Sequence, residues 1–436
     1  LVDDFCDGLE QRGYPYDIAH VRWSGHGDNA VPDPAICEFV RDWNARYTWP
    51  HFVISGASEA FRALEQKYGD KLPRVRGDWT PYWEDGAGSS AEETALNRAT
   101  SDRLAQAETL FALQRPAAYP AGAFEAAWRN VLLYSEHTWG AWCSVSEPER
   151  KETVEQWAIK QGYAREADRQ TRALLAQALR PEASAAPDET GTAFEVVNTL
   201  SWPRTELVTA RASGDRVLDD RGRPVPSQRL TNGDLAWLAR DVPPFASRRF
   251  TVTTGTPHQE GTALAQGTTL DSGRLRAELD PRQGGIVSLT AKGIPGDFVD
   301  PASGGVLNEY LYLIGDQVAD VQRNGNVTIS VGEAGPLVGS LIVESPAPGC
   351  RQLRRELRIV AGADSLELIN TVDKARLAVK SYMAKEGKES LNFGFPFHVP
   401  DGQVELDLPL GRMRPETDQM PSACKNWFTV GRWADV

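Results

Sequence analysis

The stretch Ser90-Ala-Glu-Glu-Thr-Ala-Leu-Asn-Arg98 opens the part of the chain whose pattern decides the fold. Ser90 and Glu93 are spaced as a capping box, in which two side chains satisfy free backbone amides at a helix start. An apolar stripe at helical spacing follows as far as Pro116, formed by Leu96, Leu104, Ala107, Leu110 and Leu113. The stretch therefore predicts a long helix with one apolar face.

Two further helices are predicted directly after this one. The second runs from about 121 to 136, and the third begins at another capping box, Ser146-Glu-Pro-Glu149, and ends near Arg180-Pro181. The side chains expected to face inward from the third helix are Val154, Trp157, Leu174 and Leu175. Three helices with short connections predict a three-helix bundle over residues 89–182.

Residues 1–88, on the N-terminal side of the bundle, mix short apolar runs with helical stretches. Strands are predicted over 16–23 and Phe52-Val-Ile-Ser55, and helices over 34–47 and 58–68. Strand, helix, strand, helix is the order of a parallel α/β unit. Such a unit is too small to close a barrel by itself.

Residues 190–436, on the C-terminal side, have the alternation of β-strands. It is clearest in Phe194–Asn198, Leu275–Leu279 and Leu353–Ile359, and turn sequences such as Asp219-Asp-Arg-Gly222 and Gly284-Gly285 lie between such segments. This pattern predicts a large antiparallel β-sandwich. The fold class expected for the whole chain is therefore multidomain, α/β, then α, then β.

Composition excludes several classes of protein. The chain has 436 residues and a net charge of -13, which argues against a nucleic-acid surface because phosphate contacts need clustered Lys and Arg. No run of 18 apolar residues predicts a membrane helix. The five cysteines are widely spaced without a CxxC pair, so buried or partly buried free thiols are expected.

The two ends of the sequence look cut. The chain begins at Leu1 without Met, and it stops at Gly431-Arg-Trp-Ala-Asp-Val436, inside a strand-like pattern. We therefore expect a piece of a longer protein, truncated at both ends. The sequence leaves the compartment and the oligomeric state open.

The first candidate site residue is His137, in Leu132-Leu-Tyr-Ser-Glu-His-Thr-Trp-Gly140. It lies where an apolar helix meets a turn that contains small residues, next to Glu136 and close to Trp139 and Trp142. A metal ligand and a purely structural histidine are both compatible with this setting. A zinc site needs three or four ligands, and no HExxH or CxxC motif supplies them here.

Two loops are further candidates. Gly25-His-Gly-Asp-Asn29 follows a predicted strand, where α/β enzymes place catalytic groups, so Asp28 is a candidate general acid with His26 as a helper. The alternative is a turn in which Asp28 and Asn29 cap local amides. The loop 76–86, Arg-Gly-Asp-Trp-Thr-Pro-Tyr-Trp-Glu-Asp-Gly, interleaves aromatic rings with carboxylates, as sugar-binding sites do, although an aromatic plug between domains would look the same.

At these segments the sequence resembles the glycoside hydrolase family 38 α-mannosidases. The likeness extends through Pro50-His-Phe-Val-Ile-Ser55, Gly77-Asp-Trp79, Asn97-Arg98, the segment 194–204 and Phe393-Gly-Phe-Pro-Phe397. The order and spacing of these segments carry the resemblance, since no single one is specific. It implies that residues 1–88 are the C-terminal part of a catalytic α/β barrel, followed by the bundle and the β region.

The resemblance also implies one zinc ion and assigns roles to residues. His137 matches a zinc ligand that comes from the bundle, Asp28 matches the acid/base, and Trp83 with Tyr82 and Asp78 matches the substrate-binding loop. The family often has Asp after the bundle histidine, where this chain has Thr138. No His-x-Asp occurs here, so the other zinc ligands and the nucleophile are expected outside this chain.

The resemblance implies a retaining glycoside hydrolase of terminal α-mannosides that works by zinc-assisted double displacement. The chain by itself is expected to be inactive and to bind zinc weakly. Two alternatives stay open: a catalytically inactive carbohydrate-binding homologue, and a glycosidase of the same fold that acts on another α-linked sugar. Neither a nucleic acid nor a membrane is expected as a partner.

Overall fold

The structure is a computed structural model that describes residues 2–21, 31–80, 90–137, 140–141, 143–144, 146–179, 192–300, 302, 304–377, 389–408 and 411–436. The chain divides into two compact units, Leu1–Asp78 and Trp79–Val436. In the described ranges, six α-helices come first along the chain and antiparallel sheets follow. The coarse order expected from the sequence, helices and then β structure, is therefore confirmed.

Residues 2–21 and 31–78 of the first unit contain three α-helices. They are α1 (Val2–Gln11), α2 (Ala35–Arg46) and α3 (Ala57–Tyr68), and a short 3₁₀ turn, Gly69–Lys71, follows the last of them. The predicted helices over 34–47 and 58–68 are confirmed as α2 and α3. Their apolar residues recur at helical spacing, and that local pattern suffices to specify them.

The strands predicted in this unit are wrong wherever the structure describes them. Residues 16–21 and 52–55 are irregular, and no β-ladder forms in the described part of residues 2–77. Asn44 supplies the hydrogen bonds that a neighbouring strand would make. Its Nδ2 donates to the Phe52 carbonyl at 2.8 Å, and its Oδ1 accepts from the Phe52 N–H at 3.0 Å. Since side chains satisfy these backbone groups, strand-like composition does not produce a strand here.

In the described residues from 90 to 179, the second unit has three α-helices that pack together. They are α4 (Ala91–Gln114), α5 (Ala121–Tyr134) and α6 (Lys151–Leu179). One shared core contains Leu104, Ala107, Leu110, Phe111, Phe124, Ala127, Val131, Ala167, Leu174 and Ala178. Ala107, Ala127 and Ala167 have no exposed surface, and their small side chains let the helices approach closely.

The local details of these helices differ from the sequence expectations. The Ser90 hydroxyl lies 3.3 Å from the Thr94 hydroxyl and caps no backbone amide, and α6 begins after the second predicted capping box. Val154, predicted to face inward, is 53% exposed. Thr153 is buried, and from Ala164 to Ala178 the buried residues of α6 recur every three or four positions. Val154 lies one position off that face.

The first β segment forms two facing sheets. One is four-stranded in the order β1-β7-β3-β4 and the other is three-stranded in the order β2-β6-β5. Their bounds are β1 (Ala193–Val197), β2 (Arg204–Ala210), β3 (Arg216–Leu218), β4 (Pro224–Val225), β5 (Ser227–Arg229), β6 (Leu235–Val242) and β7 (Ser247–Thr253). Trp237, fully buried, packs between Phe194 and Phe250 in their common core.

A second pair of sheets lies further along the chain. One has the order β11-β10-β9-β8 and the other the order β13-β14-β15-β16. Their bounds are β8 (Leu264–Gln266), β9 (Thr269–Asp271), β10 (Leu275–Leu279), β11 (Ile286–Ala291), β13 (Thr328–Ala334), β14 (Val338–Ser345), β15 (Cys350–Val360) and β16 (Glu367–Lys374). Inward residues of both sheets, such as Leu270 and Leu357, share one core.

Two small sheets complete the β region. β12 (Glu309–Ile314) pairs with β17 (Glu389–Gly394), and β18 (Glu405–Leu408) lies between β19 (Gly411–Met413) and β20 (Ala434–Asp435). Every pairing between named strands is antiparallel, as predicted. In the described residues the region is divided into six sheets with several cores, whereas the sequence pattern predicted one large sandwich. Alternation shows which strands exist but leaves open which faces meet.

The cysteines and the hydropathy of the helices can also be compared with what the composition predicts. All five cysteines are free thiols, as predicted, and all but the exposed Cys37 are buried or partly buried. Among the described residues, no helix is both long enough and apolar enough to cross a membrane.

The turn between β10 and β11 packs against a buried charge. Arg355 is fully buried; its Nη1 donates to the Asn308 carbonyl at 3.0 Å and its Nη2 to the Gln283 carbonyl at 2.5 Å. Burial lowers the pKa of Arg355 to about 10. Gly284 adopts a φ of 71°, and a Cβ there would come within 2.3 Å of the Val343 side chain and 2.8 Å of the Arg355 guanidinium.

Gly284→Ala is therefore expected to destabilise the protein by roughly 2–4 kcal/mol, combining backbone strain with overpacking. The matched control is Gly222→Ala. Gly222 has a φ of 74°, but no atom lies within 4 Å of the position that a Cβ would take. The alanine variant should therefore lose stability only through backbone strain, about 1 kcal/mol. Urea unfolding of both variants measures the difference. If both variants lost the same free energy of unfolding, the side chains around Gly284 would accommodate a Cβ without an energetic cost, contrary to this prediction.

Candidate functional site

His137 follows the C-terminal end of α5, and its side chain is 71% exposed. It is therefore not a core histidine of the bundle. Its Nδ1 lies 3.0 Å from Glu136 Oε2, a distance at which an Nδ1–H donates to the carboxylate. In the tautomer that donates from Nδ1, Nε2 is the nitrogen with which the imidazole would bind a metal.

Glu136 is held in turn from α6. The Lys160 ammonium forms an ion pair with Glu136 Oε1, while Glu136 Oε2 faces His137. The Lys160 side chain is only 16% exposed, and burial lowers the pKa of this lysine. The Glu136 carboxylate opposes that effect because an adjacent negative charge favours the ammonium form.

The end of α5 is also held from α4. Asn97 is buried and donates through Nδ2 to the Ser135 hydroxyl at 2.9 Å. One turn earlier on α4, the Thr94 hydroxyl lies 3.0 Å from the Tyr134 hydroxyl. Both neighbouring helices thus fix the point at which the chain leaves α5 and reaches His137.

The residues around His137 suit one part of a zinc site. Zinc takes three or four ligands in proteins, and a ligating histidine commonly donates its second ring nitrogen to a carboxylate. Glu136 is placed to accept that bond. In the described ranges, no group of three or more His, Cys, Asp or Glu side chains is arranged to hold a metal ion. The described residues therefore supply one imidazole with its orienting carboxylate.

The other predicted site residues are distributed differently. Asp28, Tyr82 and Trp83 lie outside the described residues. Asp78 is half-buried at the end of the first unit, and His137 belongs to the second. The structure thus describes Asp78 and His137 separately.

The described start of the aromatic loop is anchored in the β region. Trp79 is 74% exposed, whereas the next residue, Thr80, is buried. The Thr80 carbonyl accepts from the Cys424 N–H at 2.8 Å, and its hydroxyl accepts from Gln419 Nε2 at 3.2 Å. Trp79 therefore has an exposed ring next to a fixed backbone, an arrangement that suits stacking on the apolar face of a sugar.

Gln419 joins three segments at this anchor. Besides the Thr80 bond, its Nε2 donates to the Cys424 carbonyl at 2.6 Å, and its Oε1 accepts from the Glu416 N–H at 2.8 Å. A shallow recess of about 350 Å³ lies beside it, lined by Glu405, Arg412, Met413, Arg414 and Asp418. Arg412 pairs with Glu405 and Arg414 pairs with Asp418, so the charged groups of the recess satisfy one another.

Sequence patterns did not identify Lys160 or Gln419. Each acts on a segment far away along the chain, so no local motif marks either of them.

Comparison with known proteins gives a likeness in fold. No protein-family model and no curated protein matches the chain. Among solved structures, the chain is similar to an α-mannosidase from Enterococcus faecalis V583, with a TM-score of 0.61 and 15% sequence identity over 89% of this chain. The chain spans about half of that mannosidase, 53% of its length. At this identity the match shows the fold.

Gln419→Ala is expected to destabilise the second unit by roughly 2–3 kcal/mol, because it removes three hydrogen bonds and leaves buried groups unpaired. Hydrogen exchange at the Glu416 amide should also accelerate, since that N–H loses its acceptor. The control is Gln352→Ala, at an exposed glutamine that donates to Glu344 at 3.3 Å, where the change should stay within about 0.5 kcal/mol. Equal, small effects in both variants would contradict the anchoring role of Gln419.

Proposed function

We propose that this chain is part of a retaining glycoside hydrolase that cleaves terminal α-mannosides with the help of one zinc ion. The observation that carries the proposal is the likeness of fold, over 89% of the chain, to a protein described as an α-mannosidase. The family 38 resemblance of the sequence points to the same activity. The first unit then belongs to the catalytic α/β barrel of the complete protein.

The surroundings of His137 support the zinc part of the proposal. An exposed imidazole at a helix end, held through Nδ1 by a carboxylate, is arranged as metal-ligating histidines commonly are. In the proposed site His137 binds zinc through Nε2, and the remaining ligands come from the part of the protein outside this chain. When bound, the zinc ion supplies Lewis-acid stabilisation and a template for the sugar hydroxyls.

Other residues take roles in substrate binding and proton transfer. Asp28 is the proposed acid/base, which protonates the leaving oxygen and then activates water. The proposed sugar-binding residues are Trp83, Tyr82 and Asp78. The exposed ring of Trp79 adds an aromatic surface to the same loop. The nucleophilic carboxylate is expected outside this chain.

The test uses the protein encoded by the complete reading frame, because the chain spans about half of the mannosidase that it resembles. We expect zinc-dependent hydrolysis of an aryl α-mannoside, with the first product released in the α configuration, as NMR can follow. Removal of zinc with a chelator should abolish turnover, and added zinc should restore it. His137→Ala should lower kcat/KM by at least about 100-fold, since even an outer residue of a metal site is worth 10–100-fold.

The matched control is His258→Ala. His258 also pairs with a nearby glutamate, Glu260 at 2.9 Å, but it lies on the β region. Its variant should keep the full rate. A panel of other aryl α-glycosides tests for a different sugar, and turnover of one of these alone would replace mannose in the proposal. Binding of mannosides without hydrolysis of any of them would instead favour a carbohydrate-binding protein.

A further inference from the structure

We call residues 135–137, 140–141 and 143–144 the turn after α5. Helix α6 contacts it through two side chains, Trp157 and Lys160. They are three residues apart and therefore lie on the same face of the helix. Trp157 reaches Gly140 and Ser144, and Lys160 reaches Glu136. His137 lies between these two points along the chain.

Trp157 fixes the far side of the turn. Its Nε1 donates to the Ser144 hydroxyl at 2.7 Å. Its ring covers Gly140 so closely that a Cβ on that glycine would come within 2.5 Å of the indole. Only glycine leaves room for this contact, so the backbone at Gly140 is pressed directly against α6.

Lys160 fixes the near side. Its ammonium pairs with one carboxylate oxygen of Glu136, and the other oxygen faces His137 Nδ1. The Glu136 carboxylate thus lies between the Lys160 ammonium and the His137 ring. It cannot rotate away from the ring without breaking its ion pair with Lys160. The order of contacts is lysine, carboxylate, imidazole.

Stability alone gives a weak reason for a lysine at this place. Its side chain is largely buried, and taking an ammonium out of water costs free energy. An ion pair often offsets that cost without adding net stability. A methionine would fill similar space without that cost. The lysine is better explained by what it does to Glu136 and, through Glu136, to His137.

We propose that Lys160 is a positioning residue, supported by Trp157, that acts through Glu136 to keep the proton of His137 on Nδ1 and to direct Nε2 toward zinc. The inference rests on the proposed function, because the orientation of His137 matters for activity only if His137 binds zinc. It adds two residues of α6 to the site without placing either of them on the metal or the sugar.

The tautomer of His137 is the direct readout. Nitrogen-15 NMR of histidine-labelled chain, at about pH 8.5 where ordinary histidines are neutral, distinguishes Nδ1–H from Nε2–H rings. His137→Gln assigns the resonance. We expect Nδ1–H to predominate in the unmodified chain and its ratio to Nε2–H to fall about fivefold in Lys160→Met, because the freed carboxylate no longer faces the ring steadily.

Three further variants separate positioning from general damage. Lys160→Arg keeps the charge and should restore most of the Nδ1–H population. Lys151→Met removes an exposed lysine of the same helix, paired with Glu155 at 3.8 Å, and should change nothing. Glu136→Gln acts from the other side of the pair and should also lower the ratio, so the test survives if Lys160→Met does not fold. An unchanged ratio in folded Lys160→Met or Glu136→Gln would overturn the inference.

Zinc affinity of the complete protein, measured by competition with a chelator, is the second readout. We expect about a tenfold loss in Lys160→Met, within the range for residues that hold a metal ligand, and recovery in Lys160→Arg. If His137→Ala loses zinc and Lys160→Met does not, only the positioning inference fails. If His137→Ala binds zinc as tightly as the unmodified protein, the proposed function fails at this site.

Discussion

The close packing of α4, α5 and α6 is the constraint on which the rest of the site depends. Ala107, Ala127 and Ala167 have no exposed surface, and a larger side chain at any of them would push the helices apart. Their separation decides whether α6 can reach the turn after α5. At the present separation Lys160 meets Glu136 and Trp157 meets Gly140, so these contacts of α6 on either side of His137 follow from the core of the bundle.

Much of the fold could be predicted because its causes are local. Helices α2, α3 and α5 show their apolar spacing within a few turns, β10 alternates strictly, and β15 alternates except at the buried Arg355. The predictions that failed concern features that depend on contacts with other segments of the chain. Phe52–Ser55 has the composition of a strand, but Asn44 takes the backbone groups of Phe52. Val154 is apolar, but the face that α6 buries begins one residue earlier, at Thr153.

The candidate site shows the same division. His137 was identified from its place in an ordered series of segments, and the structure adds that its side chain is exposed and held by Glu136. Trp157 was predicted only as an inward side chain of its helix and Lys160 was not singled out, since a lysine and a tryptophan three residues apart on a helix are ordinary. Gln419 is further still from the residue it anchors, since it lies 339 positions after Thr80 in the sequence. Contacts of this kind become visible only when the chain is folded.

The likeness to the Enterococcus mannosidase shows how little sequence a shared fold requires, with 15% identity over 89% of the chain. A fold of this kind can host several activities, so the function has to be argued from the site. The central claim is that His137 binds zinc through Nε2 with its Nδ1 on Glu136. A crystal structure of the complete protein with zinc, with anomalous data at the zinc edge, tests it directly. We predict a zinc ion about 2.0–2.1 Å from His137 Nε2; a zinc ion on Nδ1, or one bound away from His137, would contradict the account.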